Sequence, residues 1–313
     1  MPVRHPRLAG AILLLALAGC RDKDAVSPKT AFDGKAAYGY VKTQLDFGPR
    51  VPGSEGHRRA GDWIVAQMRR TADTVIVQSW SHVTAKGDTL PLRNILARFR
   101  PEAAERVLYL THWDTRPVSD EAADPRQRAL PVPGANDGGS GVAMFVALGE
   151  ALKKTPPTVG VDLLYVDGED YGDFGTNQDV LIGSTYFAEN LPAPGYQPLY
   201  GVLWDMVGDR DLRIPQEQNS LRAAPEVVQR VWGVAAELGY GNVFVPEAGS
   251  VPITDDHVPL IAKGLRVIDV IDIDYYGANG QSYHHTPDDL LDKVSVKSLQ
   301  TVGDVALRLI TGG

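Results

Sequence analysis

The segment Tyr283 to Asp289, YHHTPDD, places two of the chain's seven histidines side by side. Neighbouring side chains of an extended segment point to opposite faces, so the pair is not expected to ligate one metal together, and if one binds a metal the other has a different job. Other stretches carry complementary groups. THWDT (Thr111–Thr115) puts His112 and Asp114 on one side of an extended segment. PGANDGGSG (Pro133–Gly141) lacks the Lys-Ser/Thr of a phosphate loop and the GxGxxG spacing. It sets Asp137 among small neighbours that leave room for a ligand, although a helix cap or turn would use the same residue. In VDGED (Val166–Asp170), Glu169 and Asp170 repel each other unless a cation or proton intervenes. One can be a ligand and the other a general base, or the pair is a solvated acidic turn. Asp205 in GVLWDMVG follows an apolar run, and an ionised carboxylate at such depth needs a cation or several donors. ITDDHVP adds Asp255, Asp256 and His257.

An aspartate, a second carboxylate and a histidine suit a zinc ion that keeps its fourth position open, with an unligated glutamate alongside for acid–base work. Cys20 is the only cysteine and lies in the leader, which excludes a cysteine-zinc site and an internal disulfide. No GxSxG elbow is present, and Ser140 belongs to the carboxylate loop. A serine triad is therefore set aside.

Alternating patterns must position these groups. SEGHRRAGDWIVAQMRR reads as a helix capped by Ser54, and GSGVAMFVALGEALKK, PEVVQRVWGVAAELG and VSVKSLQTVGDVALRLI as further helices. TVIVQSW, RNILARF, RVLYLTHWD, VDLLYVDGED, LYGVLWDMVGD and RVIDVIDID read as strands. Apolar strands separated by helices imply an α/β fold, a three-layer αβα sandwich around a twisted, mostly parallel sheet. His112, Glu169, Asp170 and Asp205 all follow apolar strand ends, where ligand sites of such sheets gather.

The chain has 313 residues, 43% hydrophobic and 22% charged, with a net charge of −8. That balance fits a substantial core and argues against nucleic acid as a partner. Residues 1–20 read as a leader: two arginines, then the short apolar run LAGAILLLALAG, ending at Cys20. It resembles a lipoprotein signal, in which Cys20 carries the lipid; the alternative is an ordinary signal cut near Ala18. Arg21 favours outer-membrane sorting by the same resemblance. The expectation is an exported chain, held on the periplasmic side of the bacterial envelope through the anchor at Cys20. Residues 21–34 read as a flexible tether and 35–313 as one catalytic domain.

The ordered set HWD, GANDGGSG, DGED, GS-x-Y-F, LWDMVG, TDDHVP and HHTPDD resembles the zinc aminopeptidase-like, M28-type family. Within it the set looks most like the bacterial glutaminyl cyclases. The resemblance implies a zinc held by Asp137, Asp170 and His285, with Glu169 as general acid/base. It implies that Asp205 handles the substrate amine and that Asp255 is hydrogen-bonded to Asp205. His284 and Trp113 are expected at the substrate pocket; the cyclases usually carry Trp at the first of these positions. The implied substrates are peptide or protein N-termini, with glutamine cyclised to pyroglutamate. In the di-zinc aminopeptidases of the same fold, the equivalents of His112 and Asp205 bind a second zinc, with Asp137 bridging and Asp114 as a further ligand or a support. One zinc is expected for a cyclase and two for an aminopeptidase. The insert YGDFGTNQDVLI and the TDDH segment lean toward the cyclase. A catalytically silent binding domain on this fold is a third reading, opposed by the intact ligands and Glu169.

Overall fold

The computed structural model describes residues 1, 3 and 27–312, so the lipidation reading of Cys20 falls outside the described residues. Helix α1 (Gly34–Leu45) starts at Asp33, whose carboxylate accepts the Ala36 N–H, and α2 (Glu55–Thr71) starts at Ser54, whose hydroxyl accepts the His57 N–H. Strands β1 (Thr74–Val83) and β2 (Thr89–Phe99) form an antiparallel hairpin. Then β3 (Arg106–His112), α3 (Gly139–Lys154), β4 (Gly160–Val166), α4 (Ile182–Glu189) and β5 (Tyr200–Asp205) alternate. A small pair, β6 (Ile214–Gln216) with β7 (Phe244–Ala248), brackets α5 (Gln218–Ala223) and α6 (Pro225–Glu237). The chain finishes through α7 (His257–Ala262), β8 (Val267–Ile271) and α8 (Val296–Thr311).

The sheet order is β1-β2-β4-β3-β5-β8. Strands β4, β3, β5 and β8 run parallel, and β2 joins them antiparallel. Strand periodicity explains the three layers. Val107 and Tyr109 of β3 face the core shared with α2, α3, α6 and α8, while Leu108 and Leu110 face the core beneath α4 and α7. With both faces covered, the central strands are apolar without alternation, as read from the sequence. Helix α3 is apolar nearly all round because it lies between the sheet and α1, α2 and α8.

One boundary shifts. The Lys29 and Thr30 N–H groups and the Thr30 hydroxyl donate to the Asp304 carboxylate of α8. Phe32 is buried against Gly303. The end of the segment read as tether therefore packs on the body, which begins at about Lys29 rather than residue 35. Among the described residues no helix is long and apolar enough to cross a membrane.

Candidate metal centre and cleft

The parallel strands end together, and their last residues and following loops converge. His112 is the final residue of β3, Asp205 the final residue of β5, and Glu169 and Asp170 lie in the turn after β4. Asp114, two residues past His112 and on its side of the chain, shapes that turn. Its carboxylate accepts the N–H of Glu169 (3.1 Å) and of Asp170 (3.2 Å), and it stands 3.6 Å from His112 Nδ1.

Asp137 is positioned from outside its own loop. The Asp289 carboxylate accepts the Asn136 and Asp137 N–H groups (2.9 and 3.1 Å) and the Tyr275 hydroxyl (2.8 Å). The buried Arg50 guanidinium donates to the carbonyls of Gly134, Pro133 and Trp113. Asn136 Oδ1 accepts the Gly208 N–H beyond β5, which locks the loop to the Asp205 segment. Gly138 opens α3 at φ +68°, where a Cβ would stand 2.8 Å from the Asp114 carbonyl and 2.9 Å from His112 Cε1. Only glycine fits so close a passage.

Two donor sets result, sharing Asp137. His285 Nε2 lies 3.2 Å from Asp170 Oδ1 and 3.7 Å from Asp137 Oδ2. His112 Nε2 lies 3.1 Å from both Asp137 Oδ1 and Asp205 Oδ1. Within each set the donor atoms lie within 4.8 Å of one another, and all of these residues are buried. Asp137 Oδ2 and Asp170 Oδ2 are buried without a hydrogen-bond partner, a costly arrangement for carboxylate oxygens unless a cation sits between them. Two carboxylates and a neutral imidazole are the donor chemistry of an open zinc site, so Asp137, Asp170 and His285 fit zinc. Arg116, not singled out from the sequence, supports the set by donating to Asp170 Oδ1 at 2.9 Å.

The electrostatics separate the ligands from the acid–base group. Burial disfavours ionised Asp137, but His112 and His285 outweigh it and hold its carboxyl below the ordinary range. Burial pulls His285 down, whereas Asp170 and Asp137 prevail and lift it to about 9. Glu169 goes the other way. Burial, reinforced by Asp170 and Asp255, pushes its carboxyl well above the ordinary value, and burial with repulsion from Asp205 does the same to Asp255. A buried carboxyl pushed upward beside an Asp137 held low separates a group suited to proton transfer from a carboxylate suited to a metal.

Glu169, Asp205, Asp255, His284 and His285 line one cleft of about 280 Å³. Trp113, expected there, is instead fully buried. It stacks on His57 at 4.3 Å and donates to the Arg93 carbonyl, because the residue after His112 points to the opposite side of the strand. The two adjacent histidines also depart from expectation. His285 has φ +50°, so the segment is not extended and the rings stack at 3.6 Å instead of facing apart. His284 Nδ1 meets Glu121 Oε1 at 3.0 Å, and Glu121 N–H donates to the His285 carbonyl. Glu121, Arg116 and Asp289 were missed because their partners lie far away in the chain; the Asp-Asp end of HHTPDD was the one visible signal. The insert after Asp170 folds over the cleft, with Asp173 and Phe174 in its wall and the Phe174 ring 5.9 Å from the Arg116 guanidinium.

Comparison with known proteins agrees with this geometry. The chain is similar to a Zn-dependent exopeptidase from Parabacteroides distasonis, 36% identical with a TM-score of 0.85 over 90% of this chain and 99% of that one. It is equally similar to Porphyromonas gingivalis glutaminyl cyclase, 38% identical with a TM-score of 0.84 over 89% and 97%. Aminopeptidase YwaD of Bacillus subtilis is 23% identical over 270 residues; these are 82% of this chain but only 52% of that protein, so the chain spans about half its length. The model of peptidase family M28 matches residues 94–310, from β2 through nearly all of α8 and across every proposed ligand. With that match on this fold and this donor set, the chain belongs to peptidase family M28.

Proposed function

We propose that this chain cyclises the N-terminal glutamine of peptides and proteins to pyroglutamate, with release of ammonia. The observation that carries the reading is the wall formed by the 171–182 insert. It puts Phe174 and Asp173 in the cleft lining together with Ile253 and Ile273, and a cleft of about 280 Å³ suits a single terminal residue. Similarity along nearly the whole length to several bacterial glutaminyl cyclases supports it.

Zinc bound by Asp137, Asp170 and His285 would supply Lewis-acid polarisation of the side-chain amide carbonyl. The chain's own residues do the rest. Asp205, at the cleft floor, holds the α-amine of the substrate in line with the amide carbon. Attack is intramolecular, so no protein nucleophile is needed and orientation supplies much of the advantage. As the new N–C bond forms, Glu169 takes a proton from the attacking amine; as the old C–N bond breaks, it returns that proton to departing ammonia. Burial and repulsion from Asp205 push the Asp255 carboxyl up; in its protonated form it would donate to the Asp205 carboxylate and keep it aimed at the amine.

A second reading, a di-zinc aminopeptidase, is favoured by the His112–Asp137–Asp205 set. Purified protein incubated with a Gln-initiated peptide and followed by mass spectrometry separates the two. Loss of ammonia alone supports cyclisation; loss of the whole first residue, with two zinc ions per chain, would replace it with hydrolysis.

A further inference from the structure

The outer wall of the cleft carries charge that the reaction does not use. Arg116 is the only Lys or Arg in the lining, and its side chain is only 6% exposed, with its N–H groups committed to Asp120 and Asp170. It offers no positive charge outward. Asp173 is exposed at the rim. Its carboxylate caps the Gly175 N–H at 2.8 Å, and no Lys or Arg within the described residues forms an ion pair with it. Glu121, with 44% of its side chain exposed, also lines the cleft, but its Oε1 is engaged by His284 Nδ1 at 3.0 Å. The apolar side chains of Phe174, Ile253 and Ile273 belong to the same lining.

We infer that Asp173 selects substrates with a lysine or arginine directly after the N-terminal glutamine and disfavours aspartate or glutamate there. This rests on the cyclase reading. A long basic side chain can lay its aliphatic stem along the apolar wall and turn its charged head to the rim carboxylate. An acidic side chain meets like charge in the same place. An exposed ion pair changes affinity by a factor of up to about five, so attraction of one substrate and repulsion of the other give a ratio of about two- to twentyfold. Because the rim lies outside the reacting atoms, the difference resides in KM.

The test compares kcat/KM for C-terminally amidated Gln-Lys, Gln-Ala and Gln-Glu peptides at low salt and at about 1 M salt, where the screening length falls to about 3 Å. The expected order is Lys, then Ala, then Glu, with the spread compressed by salt. Asp173→Asn keeps the acceptor for Gly175 and removes the charge. It should at least halve the Lys-to-Glu ratio. Equal rates for the three peptides, a preference for Glu, or a ratio unmoved in Asp173→Asn would overturn the inference while leaving the cyclase reading intact. If none of the peptides is converted, the inference falls together with that reading.

Discussion

Glu169→Gln isolates the proton-transfer step from everything around it. The frame of the residue is held by its backbone: its N–H donates to Asp114 and its carbonyl accepts from Leu181. Neither bond involves the side chain, which lies buried with one carboxylate oxygen 3.7 Å from His112 Nδ1. Glu169 is in neither donor set, so an isosteric amide leaves the metal ligands untouched. What disappears is the ability to accept a proton from the amine and return it to ammonia. Positioned acid–base catalysis contributes about 10²–10⁴-fold, equivalent to about 3–5 kcal/mol of barrier. The expected variant has kcat lowered by that range, KM changed little, and zinc content equal to the parent. Since burial disfavours the ionised carboxylate, the variant should be no less stable than the parent near neutral pH. Ammonia release from a Gln-initiated peptide gives the rates, and elemental analysis gives the metal. A kcat within about tenfold of the parent, with zinc bound, would refute the assignment of Glu169 as the acid–base group.

Chelation of zinc should abolish turnover and lower the melting temperature by roughly 5–10 °C, since a ligand at a thousand times its Kd adds about 4 kcal/mol; an unshifted melting curve after verified metal removal contradicts the buried donor set. Gly138→Ala should cost about 1–3 kcal/mol, because the left-handed backbone and the contacts with Asp114 and His112 leave no space for a methyl group; an unchanged urea midpoint would show the passage to be looser than described. Asp272 gives a pH test. Burial pushes its carboxyl to about 7, above an unfolded value near 3.9, so the folded state binds the proton more tightly and stability falls as pH rises from about 4 to about 7, then levels. Asp272→Asn removes that slope and should be more stable by about 1–3 kcal/mol at about pH 8, with the advantage shrinking toward pH 4. Denaturant titrations at the two extremes check this, and a difference independent of pH contradicts it.

Local pattern carried a great deal of this protein. Continuous apolar strands alternating with amphipathic or fully apolar helices specify a covered parallel sheet, and the polar residues at strand ends follow because such sheets bind ligands at those ends. His112, Glu169, Asp170 and Asp205 are legible from that placement, whereas Asp137, Asp255 and His285 join them through the resemblance of their motifs to the M28-type family. Even Ser54 announced its helix, since an N-cap is a bond across three residues.

Tertiary structure alone decided what depends on direction or on distant partners. Trp113 looked like a pocket residue by its place beside His112, but strand alternation sends it into the core against His57. His284 and His285 looked opposed, and the positive φ of His285 stacks them; a single dihedral angle leaves no mark in residue type unless glycine occupies it. Asp289 reaches back 152 residues to hold Asp137, and Arg116 reaches 54 residues forward to hold Asp170. A sequence names the groups that can do chemistry through their types and periodic spacing. Which of them share one cavity, and which buried bonds aim them, follows from packing between segments far apart in the chain, and no local pattern encodes that.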